Sequence, residues 1–249
     1  MATEQLLSEK KAVAMLIDGD NAQPSLIKEM LAEASKYGRT TVRKIYGDWT
    51  APQMNGWKVT LQDGAIQPVQ QFRYTVGKNA TDSALIIDAM DILHAGVVDG
   101  FCLVSSDSDF TRLATRIREQ GVFVMGIGER KTPKSFANAC DVFVFTENLV
   151  LETSKAGEKA GPTIATPKAL PVSRALPIMR KAFRLCVLEN GWANLGALGS
   201  SLRQLEPSFD HRTYGCPTLK SLITKLADSI EIGEDKKTNG SAVVVVKVK

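Results

Sequence analysis

The sequence predicts an α/β protein. It has an open parallel sheet with helices on both faces, followed by a small winged-helix domain. Three observations predict this. Through the first 150 residues, short apolar runs alternate with amphipathic helical segments, the pattern of a buried parallel sheet. After Leu151 a small, polar, charged stretch breaks that rhythm, with Pro162, Pro167 and Pro171 in it, and reads as a linker. The charge balance also changes there. Residues 1–150 hold 16 Lys/Arg against 18 Asp/Glu, and residues 151–249 hold 15 against 9. The expected division is therefore 1–150 as an α/β domain, 151–171 as linker and 172–249 as a small basic domain. The charge asymmetry suggests a catalytic part joined to a polyanion-binding part, or simply a small domain with a basic solvated face.

The elements follow in order. Val13–Asp18 is a buried strand. Pro24–Tyr37 is a helix with Leu26, Ile27, Met30, Leu31 and Ala34 on one face and Gly38 as its stop signal. Thr41–Tyr46 is a strand, Pro52–Asp63 an amphipathic helix and Ala65–Gln70 a short strand. Thr81–Leu93 is the clearest helix. Gly100–Val104 is a buried strand, Phe110–Gln120 a helix closed by Gly121, and Val122–Ile127 and Val142–Phe145 are strands. Beyond the linker, Arg174–Glu189, Leu195–Leu205 and Thr218–Ala227 read as helices. Ser229–Ile232 and Ala242–Lys247 read as strands around a turn at 233–240, the order of a winged helix.

Composition narrows the class. Apolar residues make up 44% and charged residues 23%, as in ordinary globular proteins. No apolar run approaches the roughly 18 residues of a membrane-spanning helix. The first eleven residues lack the apolar core of a secretory signal. The four cysteines are scattered without a C-x-x-C pair, which points to reduced structural thiols and a cytoplasmic protein, and away from a zinc site.

The chemistry lies in four aspartates. Asp18 ends the first strand, Asp82 opens the clearest helix, and Asp107 and Asp109 follow the strand 100–104. Ligand sites in open α/β sheets lie beyond the carboxyl ends of the strands. If the strands before Asp18 and Asp107 are neighbours, all four carboxylates meet at one edge, with Asn21 close enough to orient a ligand or water. Each has an ordinary alternative: Asp109 or Ser106 as a helix cap, Asp82 as a first-turn acid, Asp20 and Asn21 in a turn. Together they suggest a cleft for a hard cation, Mg²⁺ or Mn²⁺, and those cations suit phosphate chemistry. His94 and His211 have no cysteine or histidine partner at a useful spacing, which argues against histidine acid/base catalysis.

Three blocks carry a resemblance: 15–21 (MLIDGDN), 77–90 (GKNATDSALIIDAM) and 103–110 (LVSSDSDF). In that order they resemble the NYN domain, a relative of the PIN nucleases that includes LabA-like proteins. The resemblance covers about residues 10–150. It implies a PIN-like Rossmannoid sheet and a metal-dependent endoribonuclease, with Asp18, Asp82, Asp107 and Asp109 as metal ligands and Asn21 as their polar partner. Residues 191–199 (GWANLGALG) and 214–223 (YGCPTLKSLI) resemble the OST-HTH, or LOTUS, winged-helix module, over about residues 172–249. That module implies RNA binding or protein contact.

On this reading two cations roughly 4 Å apart activate a water and stabilise the leaving oxygen. Asp18 and Asp107 are the central ligands, and Asn21 and Ser106 position water or a phosphate oxygen. Arg73 and Lys78, with Lys131 and Lys134, flank the rim, and Gln71-Phe72-Arg73-Tyr74 mixes basic and aromatic groups as single-strand binders do, or equally continues a β-strand with one buried aromatic. In the tail, Arg203, Arg212, Lys220 and Lys225 are candidates for phosphate contact. Trp192 is expected in the core, and Val243–Val246 in a wing strand that could also pair two copies. The expected partner is single-stranded RNA, with a protein partner or homodimer as further options and no membrane. Two rivals stand beside this. One is an RNA-tethering protein without turnover. The other is a haloacid-dehalogenase-type phosphatase with Asp18 as nucleophile and Asp20 as acid, which leaves Asp82 without a role.

Overall fold

The structure is a computed structural model and describes residues 11–72, 80–153, 169–236 and 242–249. The chain divides into two compact units, Met1–Ile164 and Ala165–Lys249.

The first unit is built on a six-stranded sheet. Its strands are β1 (Ala12–Asp18), β2 (Arg39–Gly47), β3 (Gln67–Gln70), β4 (Gly100–Val104), β5 (Phe123–Gly128) and β6 (Val142–Phe145). Their spatial order is β3-β2-β1-β4-β5-β6, and all five pairings are parallel. The chain winds outward from β1 to one side, then returns to lay β4 on β1's other side. The direction of winding reverses between β1 and β4, so a crevice opens there beyond the strand ends.

Alternation along β1 sets the two layers. Val13, Met15 and Ile17 face one side, where they pack with α1 (Ile27–Ala34) and with Met54 and Trp57 ahead of α2 (Lys58–Gly64). Leu149 of α6 (Thr146–Thr153) closes that layer. Ala14 and Leu16 face the other side, onto α3 (Ala80–Ala95), α4 (Thr111–Glu119) and α5 (Lys134–Ala139). Both faces are covered, which is why β1 carries no polar residue before its last position, Asp18, and β4 carries none.

Several boundaries differ from the sequence expectation. The helix expected over 24–37 begins as a 3₁₀ turn, Pro24–Leu26, and its α part ends at Ala34. The helix expected over 52–63 is 3₁₀ as far as Trp57, because Asn55 and Gly56 are poor α-helix formers. Helices α5 and α6 were not expected. Lys134–Ala139 is six residues long and starts after Pro133, and Thr146–Thr153 starts before the stretch expected to be linker and runs into its first three residues.

The second unit has α7 (Leu176–Cys186), α8 (Leu195–Leu205), a 3₁₀ turn His211–Tyr214 and α9 (Leu219–Thr224). A three-stranded antiparallel sheet follows the order β7 (Ala193–Asn194), β9 (Ala242–Val248), β8 (Ile230–Lys236). Thr218 and Ser221 form a reciprocal capping box at the start of α9. The core gathers Met179 and Ala182 of α7, Leu198 and Leu202 of α8, Leu222 and Ile223 of α9, and Val246 of β9. The turn expected at 233–240 is shorter on its first side, because β8 continues to Lys236; residues 237–241 lie outside the described residues.

Candidate functional site

The site is set by register. Ile17 of β1 pairs with Val104 of β4, so the residues just beyond each strand emerge side by side at the crevice. Asp18 is the last residue of β1 and is 0% exposed. Its Oδ2 accepts from Asn21 Nδ2 at 2.7 Å and from Ser105 Oγ at 2.8 Å, and its Oδ1 accepts from the Asp20 amide at 3.1 Å. Burial raises the Asp18 carboxyl above its usual range, and the Asn21 and Ser105 hydrogen bonds draw it back.

Ser105 does more than satisfy Asp18. Its Oγ also accepts from the Asp107 amide at 3.1 Å, so one hydroxyl spans the β1 and β4 ends. The neighbouring strand supports it: the Ser105 amide donates to Ile127 O at 3.0 Å. Gly128 stands so close that a Cβ there would lie 2.4 Å from Ser105 O. Sequence reasoning missed Ser105, because a serine after a strand carries no signature until the register is known.

Asp107 caps the 3₁₀ turn Ser108–Phe110, its side chain accepting from the Asp109 amide at 2.9 Å. That fulfils the cap expected of Asp109 or Ser106 with a different residue. Asp109 is exposed in the same turn, and Asp82 sits in the first turn of α3. Asp82, Asp107 and Asp109 each bring one carboxylate oxygen within 4.8 Å of the others. Asp82 reads this crowding directly. Burial, then the charges of Asp18, Asp107, Asp109 and Asp20, push its carboxyl up to about 6. The donor set is all oxygen, the preference of hard divalent cations, and a cation would relieve the repulsion.

Asp82, Asp107 and Asp109 are brought together at this edge, while Asp18 stands outside their close group and connects to Asn21 directly and to Asp107 through Ser105. Ser106 is also there, but it is buried and its Oγ accepts the Glu129 amide at 2.9 Å, tying the β4 loop to the β5 loop. Lys131 pairs with Glu129 at 2.9 Å, and Lys134 is exposed at the start of α5. Arg73 and Lys78 lie outside the described residues.

In the second unit Arg203, Lys220 and Lys225 are exposed. Arg212 requires a correction. It is buried, and its guanidinium binds the Asp210 carboxylate through Nε at 2.8 Å and through Nη2, so it is a structural ion pair and not a phosphate contact. Trp192 is likewise not in the core. It is half-buried over Gly233, with the Lys247 ammonium 5.9 Å from its ring centre. All four cysteines are free thiols, and no helix among the described residues is long and apolar enough to cross a membrane.

A doubly wound parallel sheet with an acidic, all-oxygen cluster at its switch point defines a PIN-like α/β domain, here followed by a small unit of helices and an antiparallel sheet. The NYN domain family model matches residues 12–150, and the chain belongs to that family. The OST-HTH/LOTUS domain matches residues 178–241. Among solved structures, a protein of unknown function from Vibrio parahaemolyticus is 21% identical, covering 54% of this chain and 91% of its own, with a TM-score of 0.46. An uncharacterized protein from Nitrosomonas europaea is 27% identical, covering 37% of this chain and 90% of its own, with a TM-score of 0.28. No curated protein matches the chain. Asp82, to which the phosphatase alternative gives no role, is grouped with Asp107 and Asp109.

Proposed function

We propose that this protein is a metal-dependent endoribonuclease. Residues 1–150 cut RNA, 151–171 link the two parts, and 172–249 hold the RNA through exposed cations such as Arg203 and Lys220. The observation that carries this is the Asp82, Asp107 and Asp109 group beside buried Asp18, in a chain of the NYN family. Three carboxylates are kept close together beside the buried Asp18 although their mutual repulsion is unfavourable, and a bound cation would relieve it.

Asp18 and Asp107 are the central ligands, and Asp82 and Asp109 complete the set. Mg²⁺ or Mn²⁺, when bound, supplies charge to polarise a phosphoryl oxygen and makes a water acidic enough to attack. Asn21 and Ser105 hold the Asp18 carboxylate in one orientation, with Oδ2 occupied by their two hydrogen bonds. Ser105 passes that constraint to Asp107 through its amide. His94 binds Met90 O in the last turn of α3, and His211 binds Cys216 O in the second unit. On this reading proton transfer falls to water and the carboxylates.

The test is cleavage of end-labelled single-stranded RNA with Mn²⁺, with Mg²⁺ and with EDTA, beside Asp18→Asn and Asp107→Asn variants. Metal-dependent cleavage abolished by both substitutions is expected. RNA that is bound but never cut, with any metal, would favour a tethering protein instead.

A further inference from the structure

The groove between α3 and α4 starts at the acidic site and leads away from it. It encloses about 240 Å³ and is lined by Ile86 and Met90 from α3, by Asp109, Arg112, Leu113 and Arg116 from α4 and the turn before it, and at its far end by Glu119. Asp109 belongs to both the groove and the carboxylate group. The helix periods explain the alignment. Asp82, Ile86 and Met90 recur every four residues along one stripe of α3, and Asp109, Arg112 and Arg116 recur at three and four along α4. Each stripe begins at a carboxylate of the site. Arg112 and Arg116 stand roughly 5 Å and 10 Å along the axis from Asp109, at 1.5 Å per residue.

We propose that this groove is the track for the RNA strand on one side of the cut, with Arg112 and Arg116 holding its phosphates. This deepens the ribonuclease reading above and rests on it. A phosphate strand approaching four carboxylates is repelled, and a cation at the site neutralises only the phosphate it touches. The next phosphates need cations of their own, one or two spacings away, and that is where the two arginines are.

The arginines of α4 divide by role. Arg118 is committed to the fold: it pairs with Asp141 at 3.3 Å and donates to Asn138 O and Ala139 O. Among the described residues Arg116 makes a long, solvated pair with Glu119 at 3.4 Å, one a phosphate can displace. Arg112 is exposed, and no hydrogen bond or ion pair holds it among the described residues. Ile86 and Met90 give the groove an apolar floor against which bases can lie. No aromatic ring lines it, so it contacts the backbone more than it reads sequence.

Two measurements test this in the full chain. In the first, photocrosslinking of 4-thiouridine RNA to the Asp18→Asn chain with Mn²⁺ is mapped by peptide. Crosslinks in 82–90 and 109–119 are expected, and they are readable whether or not the wild type cuts. Crosslinks confined to 178–241 or to other surfaces overturn the track. In the second, the Arg112→Ala/Arg116→Ala variant is compared with a Lys28→Ala/Arg39→Ala variant carrying the same charge change at exposed positions elsewhere on the unit. The groove variant should raise KM about ten-fold while kcat and the Mn²⁺-induced rise in Tm stay. Its salt dependence should flatten by about 1.4 in log-log slope, at roughly 0.7 per lost single-strand phosphate contact. Equal KM in the two variants overturns the track and leaves the ribonuclease reading standing. Absence of cleavage by the wild type counts against the ribonuclease reading, and the crosslinks still decide the groove.

Discussion

Asp82→Asn should stabilise the metal-free protein while crippling its metal site. The carboxyl of Asp82 is pushed from 3.8 up to about 6 by burial first, then by its acidic neighbours. Its folded value lies above its unfolded one. Between pH 3.8 and about 6 the folded state therefore keeps a proton that the unfolded chain has lost, and stability falls as pH rises through that window. At 1.36 kcal/mol per pH unit the cost above pH 6 is at most about 3 kcal/mol. Partial solvent access screens the charge and brings it to about 1–2 kcal/mol. Asparagine keeps the shape and removes the charge. In EDTA at pH 8 the variant should melt about 2–8 °C above wild type, at roughly 2–4 °C per kcal/mol for a unit of this size. Near pH 4 most of the gain should vanish, because Asp82 is then protonated in the folded wild type. Mn²⁺ should raise the wild-type Tm and raise the variant's much less. Thermal melts across pH, with EDTA or Mn²⁺, read all three. A variant that melts lower than wild type at pH 8 in EDTA, or gains as much from Mn²⁺, refutes the reasoning.

Three further outcomes follow from the same geometry. Ser105→Ala removes the hydroxyl between Asp18 and Asp107, and should cost about 1–3 kcal/mol in denaturant melts and lower RNA cleavage while circular dichroism is preserved. Gly128→Ala places a Cβ 2.4 Å from Ser105 O, so it should weaken Mn²⁺ stabilisation by displacing the β4 loop; unchanged Mn²⁺ binding would mean that loop does not position the site. Arg212→Ala leaves Asp210 buried without its partner and should destabilise the second unit by about 3–5 kcal/mol, whereas Arg203→Ala should leave its unfolding transition within about 0.5 kcal/mol.

What could be read from the sequence divides along physical lines. Asp18 and Asp107 were visible because each follows a buried apolar run, and a charge there must lie at a sheet edge. Asp82 was visible through the helix it opens. The neighbourhood of β1 and β4 was only a condition in the sequence, since strand order depends on which way each crossover turns. Ser105 depended on that order and was missed. Helix α5 was missed because six residues after a proline give too little periodicity to register. Arg212 was misassigned because its partner is only two residues away, at Asp210. The extended backbone of Asp210, with φ −143° and ψ 127°, turns its carboxylate to meet the guanidinium, and composition gives no sign of that.

The hydrogen bond from Ser105 to Asp18 joins residues 87 positions apart. During synthesis the first strand emerges with Asp18 and its near partner Asn21, but the Ser105 hydroxyl that ties Asp18 to Asp107 is made only when β4 and the loop after it follow. Helix α3 contributes its carboxylate only once β4 has returned beside β1. For an enzyme of the kind proposed, the growing chain therefore carries the parts of a blade without an edge. The message being translated is not exposed to a working site until well over a hundred residues have been made and the domain has closed as a unit.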